Sequence, residues 1–171
     1  MNRVLALDLS LSATGIARPD GELSTYRPQV KGDDRLTEIA HYVGVIADGR
    51  LPDLTVIEDV PFGMNNAAAG PLAMLHGAVR FVLLNEGHRY LTVPPATLKT
   101  YATGRGNARK PDMRMELYKR TELDVDDDNQ CDARWLQLLG LDLMGYPALE
   151  LPQTHRRALD KLRLPKGLVT V

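Results

Sequence analysis

The chain of 171 residues is poor in cysteine and in aromatic side chains, and it carries no excess of charge of one sign. A single cysteine, Cys131, excludes an internal disulfide and a zinc cluster built on several thiolates, and it is typical of a reducing compartment. The formal net charge of −1 excludes a protein that binds nucleic acid as a general polycation. A contact with nucleic acid therefore requires a local basic surface.

Long hydrophobic runs are also missing. The longest uncharged stretch, residues 60–79, is interrupted by prolines, asparagines and a histidine, whereas a membrane span needs about 20 predominantly apolar residues. The first residues run directly into a strand-like segment without the pattern of a signal peptide. We therefore expect a cytoplasmic protein without a membrane span.

The charges that are present are distributed unevenly. Residues 99–120 contain seven basic and two acidic side chains, whereas residues 121–132 contain six acidic and no basic ones. Residues 154–166 contain five basic side chains and one acidic. One interpretation is that these charges lie on solvent-exposed helix faces and cancel one another. Alternatively, they form a basic surface for phosphates beside an acidic pocket for cations, and an enzyme that cuts phosphodiesters needs both.

The hydrophobic periodicity predicts three short strands joined by turns, then helix, strand, helix, strand and a series of helices. The expected strands are 4–10, 15–17, 22–27, 54–59 and 89–93, and the expected helices are 34–49, 66–87, 95–102, 108–121 and 128–141. This order predicts an α/β fold with a mixed five-stranded sheet, three antiparallel strands then two parallel ones, flanked by helices. We expect one domain over 1–146 and a C-terminal tail over 147–171 with a short basic helix.

Two carboxylates, Asp8 and Glu58, lie on strand faces that are otherwise apolar. Asp8 shares a strand face with Val4 and Ala6, and a buried carboxylate must be paired, protonated or bound to a metal. Glu58 shares a face of the fourth strand with Leu54 and Val56. In this topology the fourth strand commonly lies next to the first, so we expect Glu58 near Asp8. The alternative for Asp8 is that it caps the turn that follows the first strand. The alternative for Glu58 is that it faces solvent.

A third acidic group precedes the last long helix. Acidic residues at a helix N-terminus usually stabilise its dipole. Asp132, however, lies one turn inside the helix, next to Ala133 on the side expected to pack, and Asp128 lies four residues earlier on the same stripe. Carboxylates that converge in this way suit hard divalent cations such as Mg²⁺. Two such ions about 3.5–4 Å apart can activate a water and stabilise the leaving oxygen when a phosphodiester is cut.

Four sequence blocks, in order, resemble those of the RuvC-type Holliday-junction resolvases in the ribonuclease-H-like superfamily. They are LALDLSLSATGIA, VIEDVPFG, VPPATLKTYATGRGNARKPDM and DDNQCDARWLQLLG, and they cover most of residues 3–145. The tail after Pro147 resembles that of RuvC-like proteins from phages and actinobacterial elements.

The resemblance implies that Asp8, Glu58, Asp128 and Asp132 are the catalytic metal ligands. It implies Mg²⁺ as the cofactor, with Mn²⁺ as a substitute and two ions in each site. The sequence departs from the family pattern at one ligand, because the family places its third acidic residue at the position of Asn129. In this chain the acidic residue is Asp128, one position before Asn129.

The resemblance also implies DNA contacts. Lys99 and Lys110 match basic residues that contact junction phosphates, with Arg105 and Arg109 as secondary candidates, and Phe62 matches an aromatic that stacks on a junction base. The alternatives are solvated lysines and a phenylalanine that fills the core.

The implied function is a structure-selective DNA endonuclease that resolves four-way junctions as a homodimer, in a bacterium or a phage-infected host cell. Helix 66–87 resembles the dimer helix of that family. One alternative is a related nuclease that acts on flaps, forks or RNA–DNA hybrids. The others are a catalytically inactive junction-binding protein and an actin-like ATPase of the same fold.

Overall fold

A computed structural model describes residues 3–60 and 66–168 of the chain. Its sheet has the strand order β3-β2-β1-β4-β5, in which β1, β2 and β3 are antiparallel and β1, β4 and β5 are parallel. The strands are β1 (Val4–Asp8), β2 (Thr14–Ala17), β3 (Leu23–Tyr26), β4 (Leu54–Glu58) and β5 (Tyr90–Val93). The predicted mixed sheet is therefore confirmed, with β2 beginning one residue earlier than expected.

The helices follow the predicted order. They are α1 (Asp34–Arg50), α2 (Asn66–Asn85), α3 (Pro95–Thr103), α4 (Lys110–Thr121), α5 (Asp128–Leu143) and α6 (Gln153–Arg156), followed by a 3₁₀ turn (Leu159–Lys161). Helix α4 begins later than expected, because Pro111 occupies its first turn and Asp112 accepts a hydrogen bond from the backbone N–H of Arg109 at 3.0 Å.

Helices cover both faces of the sheet. Alternate residues of β1 point to opposite sides, so that Leu5 and Leu7 pack with α1 and α2 whereas Val4 and Ala6 pack with α5. All four side chains are buried. Asp8, which follows this alternation, therefore lies on the side of α5.

The two central strands end at the same edge of the sheet. Strands β1 and β4 are parallel, with Ala6 opposite Val56 and Leu7 opposite Ile57. Their last residues, Asp8 and Glu58, therefore lie side by side, as the strand pattern predicts.

The C-terminal segment folds back onto α3. Ala158 and Leu162 are buried in the same core as the inner face of α5. The predicted domain boundary at residue 146 stays a prediction. No helix within the two described ranges is long and apolar enough to cross a lipid bilayer.

Candidate active-site cleft

Three carboxylates from distant parts of the chain meet at the ends of β1 and β4. Asp8 belongs to β1, Glu58 to β4 and Asp132 to the second turn of α5. One oxygen of each lies within 4.8 Å of the others. This separation is short enough for one divalent cation to contact all three.

Burial is the largest cause of a raised pKa at each of the three acids. Burial, followed by the charge of Asp132, raises the pKa of Asp8 to about 7. Burial and the charges of Asp8 and Asp132 raise the pKa of Glu58 to about 9. Burial raises the pKa of Asp132 to about 6, against the opposing charge of Lys110. The cluster therefore keeps protons near neutral pH, and a cation would displace them.

Asp128 lies outside this group of three. Its carboxylate contacts Lys110 Nζ at 3.3 Å and Arg114 Nε at 3.4 Å. Asn129, the position to which the family pattern assigns the third acidic ligand, lines the cleft beside Asp132. The role of Asp128 as a ligand stays a prediction.

The carboxylates open into a cleft of about 490 Å³. Lys99 from α3 and Lys110 from α4 line it, so both predicted phosphate-binding lysines lie beside the acidic cluster. Arg105 is exposed and forms an ion pair with Asp112 at 3.8 Å, whereas Arg109 is the N-cap residue that precedes α4. Phe62 lies outside the described residues.

Sequence reasoning missed His76, which also lines the cleft. Its ring is buried on α2, and burial followed by the charge of Arg80 lowers its pKa to about 4. The histidine is therefore neutral at physiological pH. The sequence does indicate this position through helical spacing. His76 lies four residues after Leu72 and four residues before Arg80, so all three side chains lie on one side of α2.

A glycine allows α5 to reach the cluster. Gly15 pairs with Asp8 across the first hairpin, and a Cβ atom there would lie 2.1 Å from the carbonyl oxygen of Asn129. Any side chain at this position would collide with the backbone of α5. The absence of a side chain at Gly15 therefore brings Asp132 within reach of β1.

The start of α5 is fixed by its N-cap. The carboxylate of Asp127 accepts hydrogen bonds from the backbone N–H groups of Asn129 at 2.9 Å and Gln130 at 3.4 Å. The Thr25 hydroxyl of β3 also donates to this carboxylate, at 2.7 Å. The edge strand thus holds the helix that carries Asp132.

A second group of potential metal ligands joins the end of α1 to the turn after α2. Asp48, Glu86 and His88 offer atoms within 4.8 Å of one another, and His88 Nε2 lies 2.9 Å from Asp48 Oδ1. Sequence reasoning did not connect these residues. They lie towards the N-terminal ends of β4 and β5, whereas the cleft lies at the C-terminal ends of β1 and β4.

Known structures share this fold. Thermus thermophilus RuvC matches with a TM-score of 0.67 and 18% identity, over 86% of this chain and 99% of that one. The same protein, solved "in complex with Holliday junction substrate", matches with a TM-score of 0.67 and 19% identity, over 80% of this chain and 91% of the other. The yeast mitochondrial Holliday junction resolvase matches with a TM-score of 0.55 and 13% identity, over 80% and 76% of the two chains.

These likenesses confirm the predicted ribonuclease-H-like fold of RuvC. No family model and no curated protein sequence matches the chain.

Proposed function

We propose that the protein is a divalent-metal-dependent DNA endonuclease that resolves four-way junctions. The observation that carries this proposal is the convergence of Asp8, Glu58 and Asp132 at one point, beside the lysines that line the cleft. It is supported by the likeness of fold to RuvC, one structure of which holds a junction substrate. We also infer that the protein acts in the cytoplasm of a bacterium or of a phage-infected host cell.

The donor set fits Mg²⁺, with Mn²⁺ as a substitute. It consists of carboxylate oxygens, which hard cations prefer. Burial and mutual repulsion raise the pKa values of Asp8 and Glu58, and a bound cation would offset both. Asp8, Glu58 and Asp132 would hold the ions, with Asn129 or Asp128 at the margin. When bound, two ions supply activation of a water and stabilisation of the leaving oxygen.

The other cleft residues orient the DNA backbone. Lys99 and Lys110 would contact phosphates on either side of the cut, since both ammonium groups line the cleft. The ion pair between Lys110 and Asp128 at 3.3 Å holds this lysine at the cleft wall. Arg105 and Arg109, on the loop between α3 and α4, would extend the basic surface.

We infer a homodimer from an exposed apolar stripe on α2. Met74, Ala78 and Phe81 follow helical spacing, and the side chains of Met74 and Phe81 are exposed. A second copy is the occupant that suits this stripe, because two sites related by a two-fold axis match the symmetry of a four-way junction. Sedimentation equilibrium then gives a mass near twice the 18.9 kDa of one chain. A mass of one chain at all concentrations contradicts the dimer.

A panel of synthetic substrates tests the nuclease proposal. We expect the purified protein with Mg²⁺ to cut a labelled four-way junction at two symmetric positions. We also expect this rate to exceed those on a flap, a fork, linear duplex and an RNA–DNA hybrid by about tenfold or more, a difference of about 1.4 kcal/mol in the barrier. EDTA abolishes all cleavage.

Two other results would select the alternatives. Faster cleavage of the flap, fork or hybrid indicates a nuclease of different specificity. Tight junction binding without cleavage in either Mg²⁺ or Mn²⁺ indicates an inactive junction-binding protein.

A further inference from the structure

The C-terminal segment contacts the glycine-rich loop between α3 and α4. The guanidinium of Arg157 donates a hydrogen bond to the carbonyl oxygen of Gly104 at 3.0 Å. His155 is buried, and its Nδ1 lies 2.9 Å from the carbonyl oxygen of Tyr101. Its ring also lies 3.3 Å from where a Cβ atom of Gly104 would be. The segment therefore supports the loop that carries Arg105.

An ion pair between the half-exposed Arg156 and the buried Asp142 fixes this segment to α5. Asp142 is only 3% exposed, and its carboxylate accepts hydrogen bonds from Arg156 Nη2 at 2.8 Å and Nε at 3.2 Å. The Tyr101 hydroxyl donates to the same carboxylate at 3.2 Å. Loss of Arg156 would leave the buried carboxylate of Asp142 without its charged partner. The segment is therefore held against the domain, and its exposed cations have defined positions.

Two of these cations border a surface cavity of about 370 Å³ next to α3. Its lining consists of Thr97, Thr100, Arg157, Ala158, Asp160 and Lys161. Arg157 gives one N–H to Gly104, which leaves other guanidinium donors for a ligand. Within residues 3–60 and 66–168, neither Arg157 nor Lys161 takes part in an ion pair. The two cations suit an anionic oxygen ligand, against the single carboxylate of Asp160.

The cavity and the cleft lie on neighbouring faces of the same helix. Lys99 lines the cleft, whereas Thr100, the next residue of α3, lines the cavity. A helix with its side chains is about 10–12 Å wide, and one DNA strand rises about 3.4 Å per nucleotide. A strand that leaves the cleft across α3 therefore reaches the cavity within about three nucleotides.

We propose that Arg157 and Lys161 form a second binding site for the DNA phosphate backbone, which holds the strand that enters the carboxylate cleft. This inference rests on the proposed function, because it takes DNA as the ligand of the cleft. It assigns the C-terminal segment a role in substrate binding, in addition to its packing against α3.

Equilibrium binding of a fluorescent four-way junction, measured in EDTA over a range of KCl concentrations, tests this site. The plot of log affinity against log salt has a negative slope, and each lost phosphate contact reduces the magnitude of that slope by about 0.9. The double variant R157A/K161A should therefore reduce this magnitude by about 2 and weaken binding about tenfold or more near physiological salt. Lys161→Ala alone, which removes no protein hydrogen bond that the structure records, should reduce it by about 1.

The control is R3A/R50A, which removes the same charge at the opposite edge of the sheet. Both arginines are about half exposed and form ion pairs with aspartates at the surface, so their loss has little effect on stability. We expect binding by this control to stay within about twofold of the unchanged protein. Melting temperatures of all variants, measured in parallel, report whether they remain folded.

The outcomes separate this inference from the proposed function. An unchanged slope and affinity in folded Lys161→Ala and R157A/K161A overturn the second site, as does an equal loss in R3A/R50A. If the wild-type chain cuts no branched DNA but binds it, and R157A/K161A weakens that binding, the backbone site stands and the nuclease proposal fails. If the wild-type chain binds no DNA, both are overturned.

Discussion

Asp8→Asn lowers the rate of junction cleavage by about 1,000-fold or more and leaves junction binding within a few-fold of the wild-type value. The amide keeps the size of the side chain but removes a negative charge from the buried group formed with Glu58 and Asp132. Divalent ions contribute several kcal/mol to stabilising the transition state, and each 1.4 kcal/mol is about tenfold in rate. The lysines that line the cleft are unchanged in this variant, so we expect binding to persist.

Asp20→Asn is the matched control for this prediction. Asp20 lies in the turn between β2 and β3 and pairs with Arg50 at the surface, at 3.1 Å. We expect this variant to cut junctions at the wild-type rate. Wild-type cleavage by folded Asp8→Asn, measured under single-turnover conditions, would mean that the carboxylate cluster is not the active site.

We expect Mg²⁺ to stabilise the protein against heat much more at high pH than at low pH. In the folded metal-free protein the pKa of Asp8 is raised from 3.8 to about 7 and that of Glu58 from 4.5 to about 9. The pKa of Asp132 is raised from 3.8 to about 6. The folded state therefore binds more protons than the unfolded state between about pH 4 and pH 9. As a result, the free energy of unfolding falls as the pH rises across this window.

Bound cations replace those protons, so the stabilisation by Mg²⁺ increases as the pH rises. A concentration of about 100 times the dissociation constant adds about 2.7 kcal/mol. For a chain of this length that corresponds to an increase in melting temperature of about 5–10 °C. The measurement is a thermal melt in EDTA and in Mg²⁺, at about pH 5 and about pH 9.

Asp8→Asn provides the internal check on the same melts. The variant has one acid fewer in the cluster, so its metal-free form loses less stability at high pH, and Mg²⁺ raises its melting temperature little. A Mg²⁺ effect of equal size at both pH values, or one that Asp8→Asn retains, would contradict the assignment.

Strand periodicity was sufficient to predict the core of the site. The alternation along β1 and β4 placed Asp8 and Glu58 on one face, and the topology made the strands neighbours. Asp132 followed from its place beside Ala133, which is buried against the sheet. These inferences depend on local patterns that the fold preserves.

The position of Asp128 depends on contacts that helical spacing does not encode. Asp127 is the N-cap, so Asp128 is the first residue of α5. Its carboxylate is held by Lys110 and Arg114 of α4, at 3.3 and 3.4 Å. The shared stripe with Asp132 predicts proximity along the helix but not the direction in which these cations draw the side chain.

Local sequence patterns also did not predict two long-range contacts. These are the approach of α5 to Gly15 and the docking of the C-terminal segment. A glycine in a hairpin reads as a turn residue, whereas its function here is to admit the backbone of Asn129. The ion pair of Asp142 with Arg156 joins α5 to the tail, whose sequence predicts a short basic helix but not the place where it docks. Such long-range contacts become visible only when the elements are assembled.

Diffraction from crystals soaked in Mn²⁺ tests the central claim most directly. We expect anomalous scattering peaks within coordinating distance of Asp8, Glu58 and Asp132, and we expect Asp8→Asn crystals to lose them. Ordered Mn²⁺ at Asp48, Glu86 and His88 with none between the three cleft carboxylates would contradict the account.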